Sequence, residues 1–398
     1  AAAYDRLAER GSGGNSSRLD TSLADKADEL SRRGVEVFDD AQAMFAAMKG
    51  RCDAVYIATG IGTHAPLTIA AAESGYHVHL EKPPAATVQE IDEMLDALRR
   101  AERMCLVGFQ AVHALEVRWL SEQIASERLG RVRTISCVAG WPRAASYYSR
   151  NHWAGKLKAD GTWVLDGPAT NALMHYINLM LLWAGAAEGE LAEPQSVRAE
   201  LYAAGPVESH DTACIEIRTR GGSTAYFLAS HCTQDAFGPD IRIEGERGQA
   251  QWRAGAGAVV SCDDGTTSRR DCDPHMHKRM VVNFVRAVQV GDPAVLRYDL
   301  ATSRKVILAL DGAHESSRKI HRIGAGHVRR LDDGTDEART VVAGLDELLR
   351  RSADEKCLPS DLPDAPAWTV STDTFDLSGY GRFPARFSAT GANGAKDG

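Results

Sequence analysis

The sequence predicts an α/β amino-terminal domain on a parallel sheet, incomplete at its start, joined to an α+β carboxy-terminal domain with a large, mainly antiparallel sheet. Two observations predict it. Between residues 53 and 110 short apolar runs alternate with helical patterns, and strand–helix–strand repeats pair in parallel through right-handed crossovers. From 197 to 262 the chain carries strands and turns, and two helical patterns follow. That order builds a sheet with helices on one face. A chain of 398 residues has room for two cores, with the domains expected at 1–113 and 114–398.

The amino end is the least regular part. Residues 1–10 read as the tail of a helix, 11–17 (GSGGNSS) as a flexible linker, 25–33 as a short helix and 35–38 as a strand. A dinucleotide-binding unit opens with a strand feeding a GxGxxG turn. No apolar strand precedes the glycine cluster here, so the first strand, its phosphate turn and the second strand are expected to be lacking. The pattern then becomes regular. Strand 54–58 ends at Gly60 and Gly62, and helix 66–74 stops at Gly75. Strand 78–80 runs into Pro83 and Pro84, which forbid helix. Helix 87–103 carries Val88, Ile91, Met94, Leu95 and Leu98 at helical spacing, with Thr87 and Glu90 placed as a capping box. Strand 104–109 closes the unit. Ligands of parallel sheets bind at the carboxyl ends of the strands, where Thr59, Glu81, Lys82 and Gln110 fall.

Beyond Gln110 the patterns give helix 114–129, strand 132–141, a polar, aromatic loop at 147–161 and a long helix through 184. Strands follow at 197–202, 212–218, 224–231, 240–245 and 249–253, then helices at 277–290 and 302–320. From 332 onward the chain is charged and proline-rich, with one helix at 341–351, and 388–398 has a composition expected to be disordered.

A formal net charge of −8 argues against nucleic acid or an anionic membrane as partner. The longest apolar candidate, 172–187, is interrupted by His175 and Asn178 and falls short of the roughly 18 residues a span needs. Eight cysteines without CxxC spacing point to free thiols in a reducing compartment, the cytoplasm. His275 and His277 have no evident third ligand, so no metal is expected.

Lys82 ends a buried strand, is aimed by two prolines, and would have its pKa lowered by desolvation, which suits proton transfer from a hydroxyl. The run His77-Val78-His79-Leu80-Glu81-Lys82-Pro83, preceded by Ala58-Thr59 and His64, resembles the Gfo/Idh/MocA oxidoreductase family. The resemblance implies a Rossmann-like NAD(P)-binding domain, truncated at its start, with Lys82 beside the nicotinamide and the substrate hydroxyl. A second motif, Asp166-Gly167-Pro168-Ala169-Thr170-Asn171 through His175, is similar to the family's catalytic helix. It makes His175 the catalytic histidine and puts Asn171 where the family has aspartate, four residues away on one helix face. Asparagine can orient a substrate but carries no charge, which leaves Asp166 to supply a carboxylate. The implied cofactor contacts are Thr59, His64, Glu81, Lys82 and Gln110, with Ile61 replacing a polar family position and Asp20 standing near the ribose acid. Asp166, Asn171 and Trp153 are the implied substrate contacts, Trp153 on a loop with Tyr148, Asn151 and His152.

The function implied is hydride transfer between NAD or NADP and a sugar, cyclitol or related polyol, in a homo-oligomer assembled through the carboxy-terminal sheet. A non-catalytic sugar-binding homologue and an NAD-dependent glycoside hydrolase are the alternatives. Without a phosphate turn several charge-assisted bonds of about 1.5–3 kcal/mol each are lost, so the segment 1–398 is expected to bind the cofactor no better than millimolar.

Overall fold

The computed structural model describes residues 2–3 and 23–389. The expected linker at 11–17, Asp20 and the tail from 390 lie outside the described residues. Strands Ala54–Ile57, His77–Leu80 and Cys105–Val107 pair side by side in that order, all parallel, through helices Ile61–Glu73 and Val88–Ala101. Glu90 accepts the Thr87 N–H at 2.9 Å, as the capping box requires. The first of these helices starts at Ile61 rather than 66, so Pro66 lies inside it and removes one helical hydrogen bond.

The amino end differs from expectation. Ala2–Ala3 is a strand, not a helix tail, and it pairs in parallel with Val37–Phe38. A helix unforeseen in the sequence, Ala41–Met48, follows, with the Asp40 carboxylate accepting the Ala43 N–H at 2.8 Å. The parallel strands therefore form two pieces, of two and three strands. A cavity of about 400 Å³ runs along the Ala54–Thr59 edge, walled by Met44, Phe45, Met48 and Tyr76.

The second half is built on a mixed sheet of ten strands. From one edge these are Thr267–Arg270, Gly257–Cys262, Gly248–Arg253, Phe237–Gly245, Val132–Gly140, Thr224–Ser230, Thr212–Thr219, Pro194–Ala203 and His321–Arg322, with Phe375–Asp376 also on Pro194–Ala203. Pairing is antiparallel except where Val132–Gly140 meets Thr224–Ser230 and where His321–Arg322 meets Pro194–Ala203. Side chains alternate across it. Cys137, Ala139, Ile215 and Phe227 join the core that includes Ile177 and Leu181 of helix Met174–Ala184 and Val306 and Leu310 of helix Leu300–Ser317.

Val138, Tyr202, Cys214 and Leu228 belong to a second cluster, closed by Leu345, Leu348 and Leu349 of helix Leu345–Glu355. The sheet is thus covered on both faces, not one. The centre of the face expected to carry an oligomer contact is filled by the chain's own carboxy-terminal segment. That segment is ordered by local chemistry that its charge disguises. Val328–Leu331 and Arg339–Val342 form a hairpin, so Val341 is in a strand, and Gly344 at φ 75° separates it from the helix.

Helix Leu300–Ser317 also docks on the parallel unit across the expected boundary at 113/114. Arg304 grips Asp92 at 2.6 and 2.9 Å, and buried Asp311 accepts the Val88 N–H at 2.8 Å. One apolar cluster runs through both halves.

Candidate active site

Lys82 stands just past strand His77–Leu80, and its peptide to Pro83 is cis. Its Nζ donates to the backbone oxygen and to Oδ1 of Asn171, both at 3.0 Å. Asn171 Nδ2 donates to Asp166 Oδ1 at 2.7 Å, and Asp166 Oδ2 accepts the Gly155 N–H at 2.7 Å. Asp166 and Asn171 are 2% and 3% exposed. Burial takes the Lys82 ammonium down to about 8, against the attraction of Glu81 and Asp166 and with the help of Arg150 and Arg143. An amine poised there can accept a proton near neutral pH.

The segment that brings Asn171 to Lys82 is not the continuous helix the spacing predicts. Pro168–Ala172 forms a π-turn, closed by Leu173 N–H donating to Pro168 O at 2.8 Å, and the α-helix begins at Met174. The wider turn leaves the Asn171 carbonyl to the lysine, a common device at functional sites. The Asn171 side-chain amide thus bonds Lys82 and Asp166, and Asp166 bonds Asn171 and Gly155. His175 lies one turn on, its ring 5.6 Å from that of Phe109, and its Nδ1 is buried without a partner among the described residues. Burial first, then the Lys82 charge, keeps the imidazole neutral with its pKa well below the usual value.

The expected cofactor contacts divide. Thr59 is exposed just past Ala54–Ile57, its hydroxyl sharing a 2.6 Å hydrogen bond with that of Thr63, and Gln110 opens the turn after Cys105–Val107. His64 is 1% exposed, with Nδ1 2.8 Å from Pro83 O and Nε2 3.1 Å from Thr59 O. Both ring nitrogens face backbone carbonyls, and burial lowers the pKa of the imidazole, whose single N–H then donates to one of the two; the ring packs between two strand ends. Glu81 is likewise engaged, by the Tyr56 hydroxyl at 2.5 Å and the Lys82 N–H at 3.2 Å, beneath Gly108, where an added Cβ would come within 3.1 Å of its carboxylate.

Of the loop residues, Trp153 is 8% exposed and packs its ring 5.3 Å from the Arg150 guanidinium, which leaves it behind the site. Asn151 Oδ1 accepts the Trp153 and Ala154 N–H groups, and His152 pairs with Asp160 at 3.1 Å. Tyr148 hydrogen-bonds His231 at 3.3 Å. What the sequence reading missed is Arg143, Tyr147 and Arg150. The two guanidiniums lie 4.5 and 3.6 Å from the Tyr147 ring, and their only signal in sequence was two arginines flanking a Tyr-Tyr pair.

Residues 18–109 match the oxidoreductase family described as "NAD-binding Rossmann fold", and residues 117–251 match the GFO/IDH/MocA carboxy-terminal domain. The chain belongs to the GFO/IDH/MocA oxidoreductase family. Among curated relatives it is 36% identical over 112 residues to D-glucoside 3-dehydrogenase of Escherichia coli, covering 26% of this chain and 31% of the relative. It is 25% identical over 194 residues to myo-inositol 2-dehydrogenase of Thermotoga maritima, covering 48% and 53%. The chain thus spans about a third to a half of these relatives' length. Among solved structures, the WlbA dehydrogenase of Bordetella pertussis in complex with NADH and UDP-GlcNAcA shares the fold, with a TM-score of 0.61, 23% identity, and 73% of this chain and 84% of that one covered. The aldose-aldose oxidoreductase of Caulobacter crescentus does so at 0.60, 18% identity, 75% and 87%.

For this family member a nicotinamide fits the strand ends. Thr59, exposed and with its hydroxyl paired to that of Thr63, and Gln110 present polar groups there, with the unpartnered Nδ1 of His175 and the Lys82 amine in the same site. The glycine cluster at 11–17 lies outside the described residues.

Proposed function

We propose that this protein is an NAD(P)-dependent oxidoreductase acting on a secondary hydroxyl of a sugar, cyclitol or related polyol. The observation that carries the reading is the Lys82 amine, fixed by two 3.0 Å bonds to Asn171, brought down to about 8 and set beside a neutral His175. Thr59, Gln110 and Lys82 would hold the nicotinamide, which supplies the hydride acceptor for the substrate carbon. In the oxidation direction neutral Lys82 takes the hydroxyl proton as the carbon loses its hydride, so an alcohol becomes a ketone and one proton is left on the amine. In reduction the ammonium returns that proton. His175 lies close enough to feel the Lys82 charge and is placed to hydrogen-bond the same hydroxyl. Asn171 and Asp166 fix the amine's position, which suits an asparagine that cannot titrate.

The relatives support this reading, being dehydrogenases of a glucoside and of inositol. Eight free cysteines fit a cytoplasmic site of action, and no described helix is long and apolar enough to cross a membrane. A homo-oligomer built on the large sheet would have to use strands beyond the cover of Leu345–Glu355.

The test is reduction of NAD⁺ or NADP⁺ by a panel of sugars and cyclitols, followed by nicotinamide absorbance. Turnover by the parent chain that Lys82→Met lowers by about 10²–10⁴-fold is expected. Turnover within tenfold of the parent would remove Lys82 from the reaction.

A further inference from the structure

Beside the lysine the structure holds two arginines that the proton chemistry does not use. Arg150 has its side chain only 7% exposed. Its Nη1 donates to Tyr147 O, while Nε and Nη2 are buried with no hydrogen-bond partner among the described residues. The carboxylate beside it, Asp166 Oδ2, is 4.0 Å away, beyond hydrogen-bond reach, and is already committed to Gly155. Arg143 comes from the loop that follows strand Val132–Gly140, its backbone N–H held by His231 O at 3.1 Å. Its guanidinium lies over Tyr147 and 5.5 Å from the Trp141 ring, with Nε buried and unpartnered. It forms no ion pair with a described residue.

An arginine with a purely structural role would be expected to saturate its fork, because a buried charged donor left unpaired is costly. Here three buried N–H positions on two guanidiniums stay open beside the reacting lysine. Arg150 is 4.0 Å from Asp166, which bonds Asn171, which bonds Lys82, and Arg143 joins Arg150 at the Tyr147 ring. Arg143 and Arg150, with Lys82 when it is protonated, stand against Asp166 and Glu81, and an oxidised nicotinamide would add a positive charge.

We propose that Arg143 and Arg150 receive an oxyanion group on the substrate, a carboxylate or a phosphate, so that this enzyme acts on an anionic sugar. The inference rests on the oxidoreductase reading of the same cleft. The planar guanidinium fork matches both groups, and both arginines pack on the Tyr147 ring. The anion fixes the sugar by one end, and the hydroxyl to be oxidised is presented to Lys82 at the other.

The test is equilibrium binding to the full chain in NAD⁺ at low ionic strength, by tryptophan fluorescence or calorimetry. The probes are D-glucuronate, D-galacturonate and D-glucose 6-phosphate, each against neutral D-glucose and D-galactose. At least one anionic probe is expected to bind tenfold or more tightly than its neutral parent. A uronate preference assigns a carboxylate, and a preference for the phosphate assigns that group. Arg143→Met, which removes no ion pair with a described residue, and Arg150→Met should each abolish the preference, and Arg143→Lys should restore part of it. Equal affinities, no measurable binding of any anionic probe, or a preference that survives Arg143→Met in a variant melting like the parent would overturn the proposal. Reduced nicotinamide is measured in the same mixtures. Turnover of neutral sugars without an anionic preference defeats this inference and leaves the oxidoreductase reading intact. Anionic preference without any turnover does the reverse.

Discussion

Replacing Lys82 with methionine should change how stability depends on pH as well as abolish turnover. In the folded chain the amine titrates near 8, against an ordinary 10.5. That difference is worth about 3 kcal/mol, because each tenfold change in proton affinity is about 1.4 kcal/mol. The sign follows from proton binding. Between pH 8 and 10.5 the unfolded chain holds more protons at this position than the folded one, so stability rises with pH across that window. By pH 10 the lysine should have contributed about 2.5 kcal/mol of extra stability relative to pH 7. At pH 7 two effects oppose in the variant. Removing a desolvated ammonium stabilises the fold, while stripping Asn171 O and Oδ1 of their donor destabilises it by about 1–3 kcal/mol. The pH dependence separates them, since methionine does not titrate. Urea denaturation of parent and Lys82→Met at pH 7 and pH 10 gives a difference of differences in which the other titrating groups cancel. An increment near 2.5 kcal/mol in favour of the parent is expected. Parallel stability profiles for the two proteins would refute the claim that this amine is held below its ordinary range.

Further outcomes follow from the same geometry. Asn171→Asp puts a carboxylate where Oδ1 now lies 3.0 Å from Nζ, so Lys82 should titrate higher and the acidic limb of the kcat/KM profile for oxidation should move up by about one pH unit or more; an unmoved limb would contradict this. His64→Phe removes the one bond its neutral imidazole donates, to Pro83 O or Thr59 O, and should cost about 1–2 kcal/mol by denaturant midpoint while raising the cofactor KM more than it lowers kcat. Glu315 accepts the Ala385, Arg386 and Phe387 N–H groups at 2.5, 2.6 and 2.8 Å and the Tyr380 hydroxyl at 2.7 Å. Glu315→Gln turns one acceptor into a donor and should cost about 2–3 kcal/mol, with amide protection in hydrogen exchange lost at residues 385–387 and kept at 224–230.

The parallel unit was legible because each apolar run ends at a glycine or a proline pair, signals that act locally. Lys82 and His175 were legible from the motifs around them. Their relation to Asn171 was not, because four-residue spacing implies a shared α-helical face only if the helix is continuous, and Pro168 opens a π-turn instead. His64 and Glu81 were placed in the right region but with the wrong partners. Which carbonyl a buried imidazole meets is set by tertiary packing between Ile61–Glu73 and the turn at Pro83. Arg143 and Arg150 stayed hidden because only the short helix Ala145–Ser149 brings both guanidiniums to Tyr147. The segment after 332 misled by composition. Its apolar residues Leu345, Leu348 and Leu349 sit among charges such as Arg350, Arg351 and Asp354, and the stripe they form declares itself only against a waiting sheet.

The late arrival of that stripe bears on how the protein is made. Strands up to Ser230 expose Val138, Tyr202, Cys214 and Leu228 on their outer face as soon as they pair. Leu345 leaves the ribosome roughly 115 residues later, about 6–23 s at about 5–20 residues per second. During that interval the nascent chain carries a bare apolar sheet face. Such a face is open to unwanted association until the final helix emerges and covers it.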